Sequence, residues 1–183
     1  MSDGVRDGIT LEESIQTAQW IERDGSVDAL EMTAGSSLLN PMYLFRGAAP
    51  IREFAAVMPQ PVRTGVRLVG RRFIRSYPYR DLFLLDDACQ VRAEVGLPMV
   101  LLGGVTTRAT MDRAMEEGFE YVAMARALLR EPDLVKRIAT EAGTPSLCIH
   151  CNKCMPTNFT GTRCTVTTSR SRSERWGTAG GYA

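Results

Sequence analysis

A four-residue run that is apolar on both faces, Met99-Val100-Leu101-Leu102, ends in Gly103-Gly104 and is bordered on each side by a helical pattern. A strand with no polar face belongs inside a parallel sheet, and parallel neighbours must be joined by crossovers, usually helices. The flanking segments fit that demand. Leu84 to Val95 reads as a helix closed by Gly96; Thr106 or Thr107 opens another, carrying Met111, Ala114 and Met115 and stopped by Gly118. Phe119 to Met124 is the next strand, running on into Ala125-Arg126-Ala127-Leu128-Leu129. Pro132 then stands at the first turn of a last helix with Leu134, Val135, Ile138, Ala139 and Ala142, ended by Gly143. Upstream, Thr10 and Glu13 have capping-box spacing, Leu11, Ile15, Ala18 and Ile21 follow at helical intervals, and Gly25 sits just past the end. Val27 to Met32 is then the first strand. Strands alternating with helices predict an α/β fold built on a parallel sheet with right-handed crossovers.

Between the first and second strands, residues 38–83 read as a long irregular excursion with one short helix at Ile51–Met58. Arg63, Arg67, Arg71, Arg72, Arg75 and Arg80 in this stretch suit either a solvated surface loop or an anionic substrate. Residues 165–183 are Ser, Thr, Arg and Gly with hardly an aliphatic side chain, the composition of a disordered tail. Basic and acidic side chains number 22 and 21, leaving a net charge of +1, so bulk charge points to neither nucleic acid nor anionic lipid. No apolar run reaches the ~20 residues of a membrane span. The N-terminus lacks the apolar core of a secretory signal, which makes the cytoplasm the expected compartment.

Two constellations carry chemistry. Gly103-Gly104 and Ala125-Arg126 both follow strands, so in a parallel sheet they share the carboxyl edge where ligands bind. Amides at the start of the following helices and a guanidinium suit a phosphate there; plain turn chemistry is the competing reading of the glycine pair. The second is Cys148-x2-Cys151-x2-Cys154-x9-Cys164, four of the five cysteines. In a chain without export, such clustering favours metal ligation over disulfides, with either an iron–sulfur cluster or tetrahedral zinc as the occupant. Cys89, inside a helical pattern, reads as a small buried hydrophobe. His150 is the one histidine in the chain, so any Ser–His or Cys–His couple would have to use it. Glu31, Met32 and Thr33 end the first strand at the same edge, either facing a ligand or simply closing the strand.

The runs Met99-Val100-Leu101-Leu102-Gly103-Gly104-Val105 and Gly118-Phe119-Glu120-Tyr121-Val122-Ala123-Met124-Ala125-Arg126-Ala127-Leu128-Leu129-Arg130-Glu131-Pro132-Asp133-Leu134 resemble the old yellow enzyme family of FMN-dependent oxidoreductases. The nearest branch is the dienoyl-CoA reductase-like NADH:flavin oxidoreductases. The resemblance covers roughly residues 9–164 and is most specific over 99–134. It implies a partial (β/α)8 TIM barrel, about its last three strand–helix units, with a Cys-rich C-terminal segment. The division is 1–147 for the C-terminal half of the FMN-binding barrel, 148–164 for the metal or cluster segment and 165–183 for the tail. It also implies that Gly103, Gly104, Ala125 and Arg126 hold the FMN phosphate. The family usually has glycine where Ala125 stands, and a methyl there requires a negative φ.

The same resemblance implies a 4Fe–4S cluster on Cys148, Cys151, Cys154 and Cys164, although the gaps before the third and fourth ligands are shorter than the family's. The implied reaction is hydride transfer from NAD(P)H through FMN to a small molecule such as an activated alkene or enoyl-CoA, with no nucleic-acid or membrane partner. A complete barrel takes about 250 residues. The chain of 183 residues is therefore expected to be a fragment that binds the FMN phosphate and lacks most of the catalytic half. No catalytic residue is assigned, and open sheet edges would favour self-association. From a different class, the sequence also fits a non-catalytic α/β module with a structural zinc site made by the four clustered cysteines.

Overall fold

The computed structural model describes residues 1–36, 39–141 and 143–166. Its centre is a parallel sheet of three short strands in the order β1 (Leu30–Glu31), β2 (Met99–Leu102), β3 (Tyr121–Ala123). The register pairs Leu30 with Met99 and Val100 with Tyr121. With α-helices between and after the strands, this is the mixed α/β class that the alternation predicts.

The first helix, α1 (Leu11–Asp24), starts where Thr10 and Glu13 satisfy each other's free amides and stops at Gly25, which is left-handed at φ 68°. It packs on α4 (Leu85–Arg92), and α4 lies against β2. Met99 and Leu101 of β2, Ala88 and Val91 of α4, and Ala114 of α5 (Arg108–Glu116) are fully buried together with Phe119. Val100 and Leu102 point to the other face of β2 and are only half-buried. The apolar run is thus fully covered on one face alone.

Several boundaries differ from the sequence expectation. The first and third strands are shorter than Val27–Met32 and Phe119–Met124, because ladder partners exist only where β2 runs alongside. The helix expected over Leu84–Val95 ends at Arg92 with Ala93 as its cap; the amide of Gly96 instead donates to Glu22 Oε1 at 2.6 Å. The run after β3 turns into a helix of its own, α6 (Arg126–Arg130), before α7 (Leu134–Thr140).

The largest correction concerns residues 38–83. Their described part holds a 3-10 turn (Pro41–Tyr43), the expected short helix α2 (Ile51–Val57) and an unexpected one, α3 (Val62–Phe73). Two interior glycines, Gly65 and Gly70, weaken α3 as a local helix signal. Packing on α2 supplies the reason it forms: Gly70 is buried, and a methyl there would stand 3.1 Å from Ile51 Cγ2. Of the expected tail, Thr165 and Val166 lie at the edge of the cysteine segment and the remainder falls outside the described residues. No helix among the described residues is long and apolar enough to cross a membrane.

Candidate functional site

The carboxyl ends of β2 and β3 open on one cleft of about 140 Å³. Gly103, Gly104, Ala125 and Arg126 line it together, and Phe45, Tyr79, Phe83 and His150 form its aromatic wall. Ala125 has φ −116°, so its methyl sits there without backbone strain. No side chain caps the start of α6 immediately after it, which leaves first-turn amides to be satisfied by something else.

Glycine at 104 has a packing cause as well. Its φ is +81°, and a Cβ would fall 2.5 Å from the amide nitrogen of Leu82, which itself donates to Gly104 O at 3.2 Å. The glycine pair therefore seats the 80–84 segment over the strand end as well as opening the cleft. Gly104→Ala is expected to destabilise the chain by about 1–3 kcal/mol through the forced left-handed backbone alone, read as a lowered midpoint in urea denaturation.

Arg126 stands at the junction of two features. Burial lowers its pKa, while nearby thiols and Tyr79 act the other way. Its Nη1 donates to the Arg46 carbonyl at 2.8 Å and to Asn152 Oδ1. Among the described residues its Nε and Nη2 have no protein acceptor. The same side chain lines a second, smaller cavity of about 20 Å³ behind the cleft, whose walls include Cys148, Cys151, Cys154 and Cys164. The four cysteines of the sequence motif thus come together around one space, and among the described residues Cys89, Cys148, Cys151 and Cys154 form no disulfide. Among the described residues they do not converge into a set that holds a single metal ion. Burial, chiefly, pushes the Cys154 thiol up, with Cys148 and Cys164 adding to it and Arg126 opposing. Arg130 also lines this cavity, and its Nη1 is buried without a hydrogen-bond partner among the described residues.

The cysteine segment is held against the part of the chain read from sequence as a loose excursion. Ala48 N donates to His150 O at 3.1 Å, Lys153 Nζ pairs with Glu53 at 3.1 Å, and Asn152 Nδ2 donates to the carbonyls of Phe45 and Ala48 at 2.6 and 2.9 Å. Gly47 makes room for this: at φ +129°, a methyl would meet His150 O at 2.1 Å. The other end of the segment is fixed by Glu131, a carboxylate 6% exposed that accepts from Arg137, from Ser146 Oγ at 3.0 Å and from Leu147 N. Neither Asn152 nor Arg46 nor Glu131 stands out in the sequence. A small polar residue inside a Cys-x2-Cys-x2-Cys arc was the available signal for Asn152, whose φ is +55°.

His150 lies flat on Tyr79, with centroids 3.3 Å apart and planes 12° from parallel. Its pKa is held down to about 4, by burial first and by the charge of Arg126 second, so the ring is neutral at pH 7. The Tyr79 hydroxyl donates to Asp81 Oδ1 at 2.9 Å, and its pKa is pushed up to about 12, chiefly by burial. An unfolded tyrosine ionises near pH 10. The folded state therefore binds more protons between those values, and the stability Tyr79 contributes is complete below pH ~10 and lost as pH rises towards ~12. Melting midpoints followed over this window should fall more steeply for the wild type than for Tyr79→Phe. Of the remaining candidates, Cys89 is half-buried beside the main core and Met32 is buried in it, whereas Glu31 and Thr33 are exposed.

Strand-end glycines, a guanidinium and four thiols thus meet on one α/β scaffold, and comparison with known proteins finds a relative described as a reductase. The chain is 50% identical over 166 residues to a curated protein of Rhodococcus erythropolis described as a 4,4'-dithiodibutanoate disulfide reductase. The match takes in 91% of this chain and 41% of the relative, so the chain spans well under half of that protein's length. No family model matches the chain, and no solved structure does.

Proposed function

We propose that the chain is the phosphate-holding part of a flavin-dependent oxidoreductase of the old yellow enzyme type, with a cluster-binding segment beside the flavin. The observation that carries this reading is the shared cleft of Gly103, Gly104, Ala125 and Arg126 at the carboxyl edge, where α/β folds take phosphates. The half-covered apolar face of β2 fits a strand whose other side belongs to a barrel interior. Bound FMN supplies hydride chemistry and a bound 4Fe–4S cluster supplies single-electron transfer.

Within that reading, Gly103, Gly104 and the start of α6 offer main-chain donors, and Arg126 supplies charge through Nε and Nη2. Phe45 and Phe83 exclude water from one side of the cleft. The four thiols have the donor chemistry of a cluster, and the Cys-x2-Cys-x2-Cys arc is the sort of tight run a cubane uses. The buried, unpaired Arg130 Nη1 favours an occupant of net negative charge. The relative's name points the acceptor towards a small organic disulfide in place of an activated alkene. The balanced reaction of the whole enzyme is then disulfide plus NAD(P)H plus a proton, giving two thiols and NAD(P)+.

Titration of the full chain with FMN, followed by flavin fluorescence, tests the reading. Saturable binding competed by inorganic phosphate is expected, with brown colour and iron after anaerobic reconstitution. Colourless protein holding one zinc and no flavin would instead establish the non-catalytic module. NAD(P)H turnover by this chain alone, with stoichiometric flavin, would overturn the assignment of the remaining machinery to other parts of a longer protein.

A further inference from the structure

Asn152 is 1% exposed, lies between two cysteines of the motif and spends its whole side chain on three contacts. Its Nδ2 donates to the carbonyls of Phe45 and Ala48, and its Oδ1 accepts from Arg126 Nη1. The same Nη1 also donates to Arg46 O at 2.8 Å. One edge of the guanidinium is thereby immobilised, and the edge made of Nε and Nη2 is left for a ligand. A planar fork fixed along one edge has lost most of its rotational freedom before an anion arrives, so less ordering entropy opposes binding.

We propose that Asn152 is a positioning residue for anion recognition: by holding Arg126 Nη1 it aims the free edge of the guanidinium at a phosphate in the cleft. The inference rests on the reading of the cleft as the FMN phosphate site and adds to it a residue that touches no ligand. It also explains why the cysteine segment and the cleft share a wall. The segment carrying the thiols is the one that sets the anion-binding side chain, so displacing the segment disturbs the cleft.

Comparing FMN with riboflavin, which lacks the phosphate, separates aim from general damage. Loss of the fold weakens both flavins alike, whereas a misdirected guanidinium weakens FMN alone. In the full chain, Asn152→Ala is expected to cut the preference for FMN over riboflavin about tenfold, in line with a lost hydrogen bond to a charged group. The same substitution in an Arg126→Ala background should change that preference little, because Asn152 acts through Arg126. An unchanged preference in Asn152→Ala, or an undiminished effect in the double variant, overturns the inference.

Should the variants not fold, the wild-type chain gives a direct reading. Inorganic phosphate is expected to shift the Asn152 side-chain amide resonances although phosphate does not touch them, and absence of that shift also overturns the inference. Failure of the underlying reading looks different: the wild type then shows no preference for FMN and no response to phosphate anywhere in the cleft.

Discussion

Replacing Glu131 by alanine is expected to lower stability by about 1–3 kcal/mol, the usual cost of leaving buried hydrogen-bond donors without their acceptor. The carboxylate is almost wholly enclosed and gathers three donors, Arg137, Ser146 Oγ and Leu147 N. Removing it leaves a guanidinium whose Nε is already buried without a partner among the described residues. The measurement is the change in unfolding free energy from urea curves at constant slope. Because part of the penalty comes from the half-buried guanidinium left without its carboxylate, adding Arg137→Met to Glu131→Ala should recover part of the loss. A single variant within about 0.5 kcal/mol of wild type would refute the account. The loss should also appear as exposure of Cys148, two residues beyond Ser146, to a thiol reagent before global unfolding.

The second large effect is on binding. Arg126→Ala is expected to weaken FMN by about 10- to 150-fold while leaving riboflavin nearly unchanged, since hydrogen bonds to charged groups are worth about 1.5–3 kcal/mol. Arg126→Lys should fall between the two, because an ammonium keeps the charge and loses the fork. Lysine also cannot donate at once to Arg46 O, to Asn152 and to a ligand with the same fixed geometry. Equal losses for both flavins would mean that the side chain supports the fold and not the anion.

Much of the scaffold was readable locally, for reasons the structure makes plain. The Thr10–Glu13 box and the left-handed Gly25 are interactions within one turn of the helix they bound, and Gly118 closes α5 in the same way, at φ +86°. The strand β2 announced itself because its environment is apolar, although burial is complete only at Met99 and Leu101. The helix α3 stayed hidden because its reason for existing, the fit of Gly70 against Ile51, is tertiary. The same holds at the site. Strand-end glycines and clustered cysteines are patterns in sequence, whereas Asn152 meets Phe45 across 107 positions and Arg126 meets Arg46 across 80. No periodicity encodes such pairs. The excursion looked loose because of its Pro and Arg content, and it proves to be the surface on which the cysteine segment rests.

The face-to-face stack of His150 on Tyr79 gives this molecule a built-in gauge. A phenol ring lying directly over an imidazole shields its protons magnetically, and the chain has one histidine to show it. Its ring signals should therefore appear upfield of those in a short peptide. Their return to ordinary positions would report, without any label, the moment the thiol-bearing strap lifts away from the mouth of the cleft.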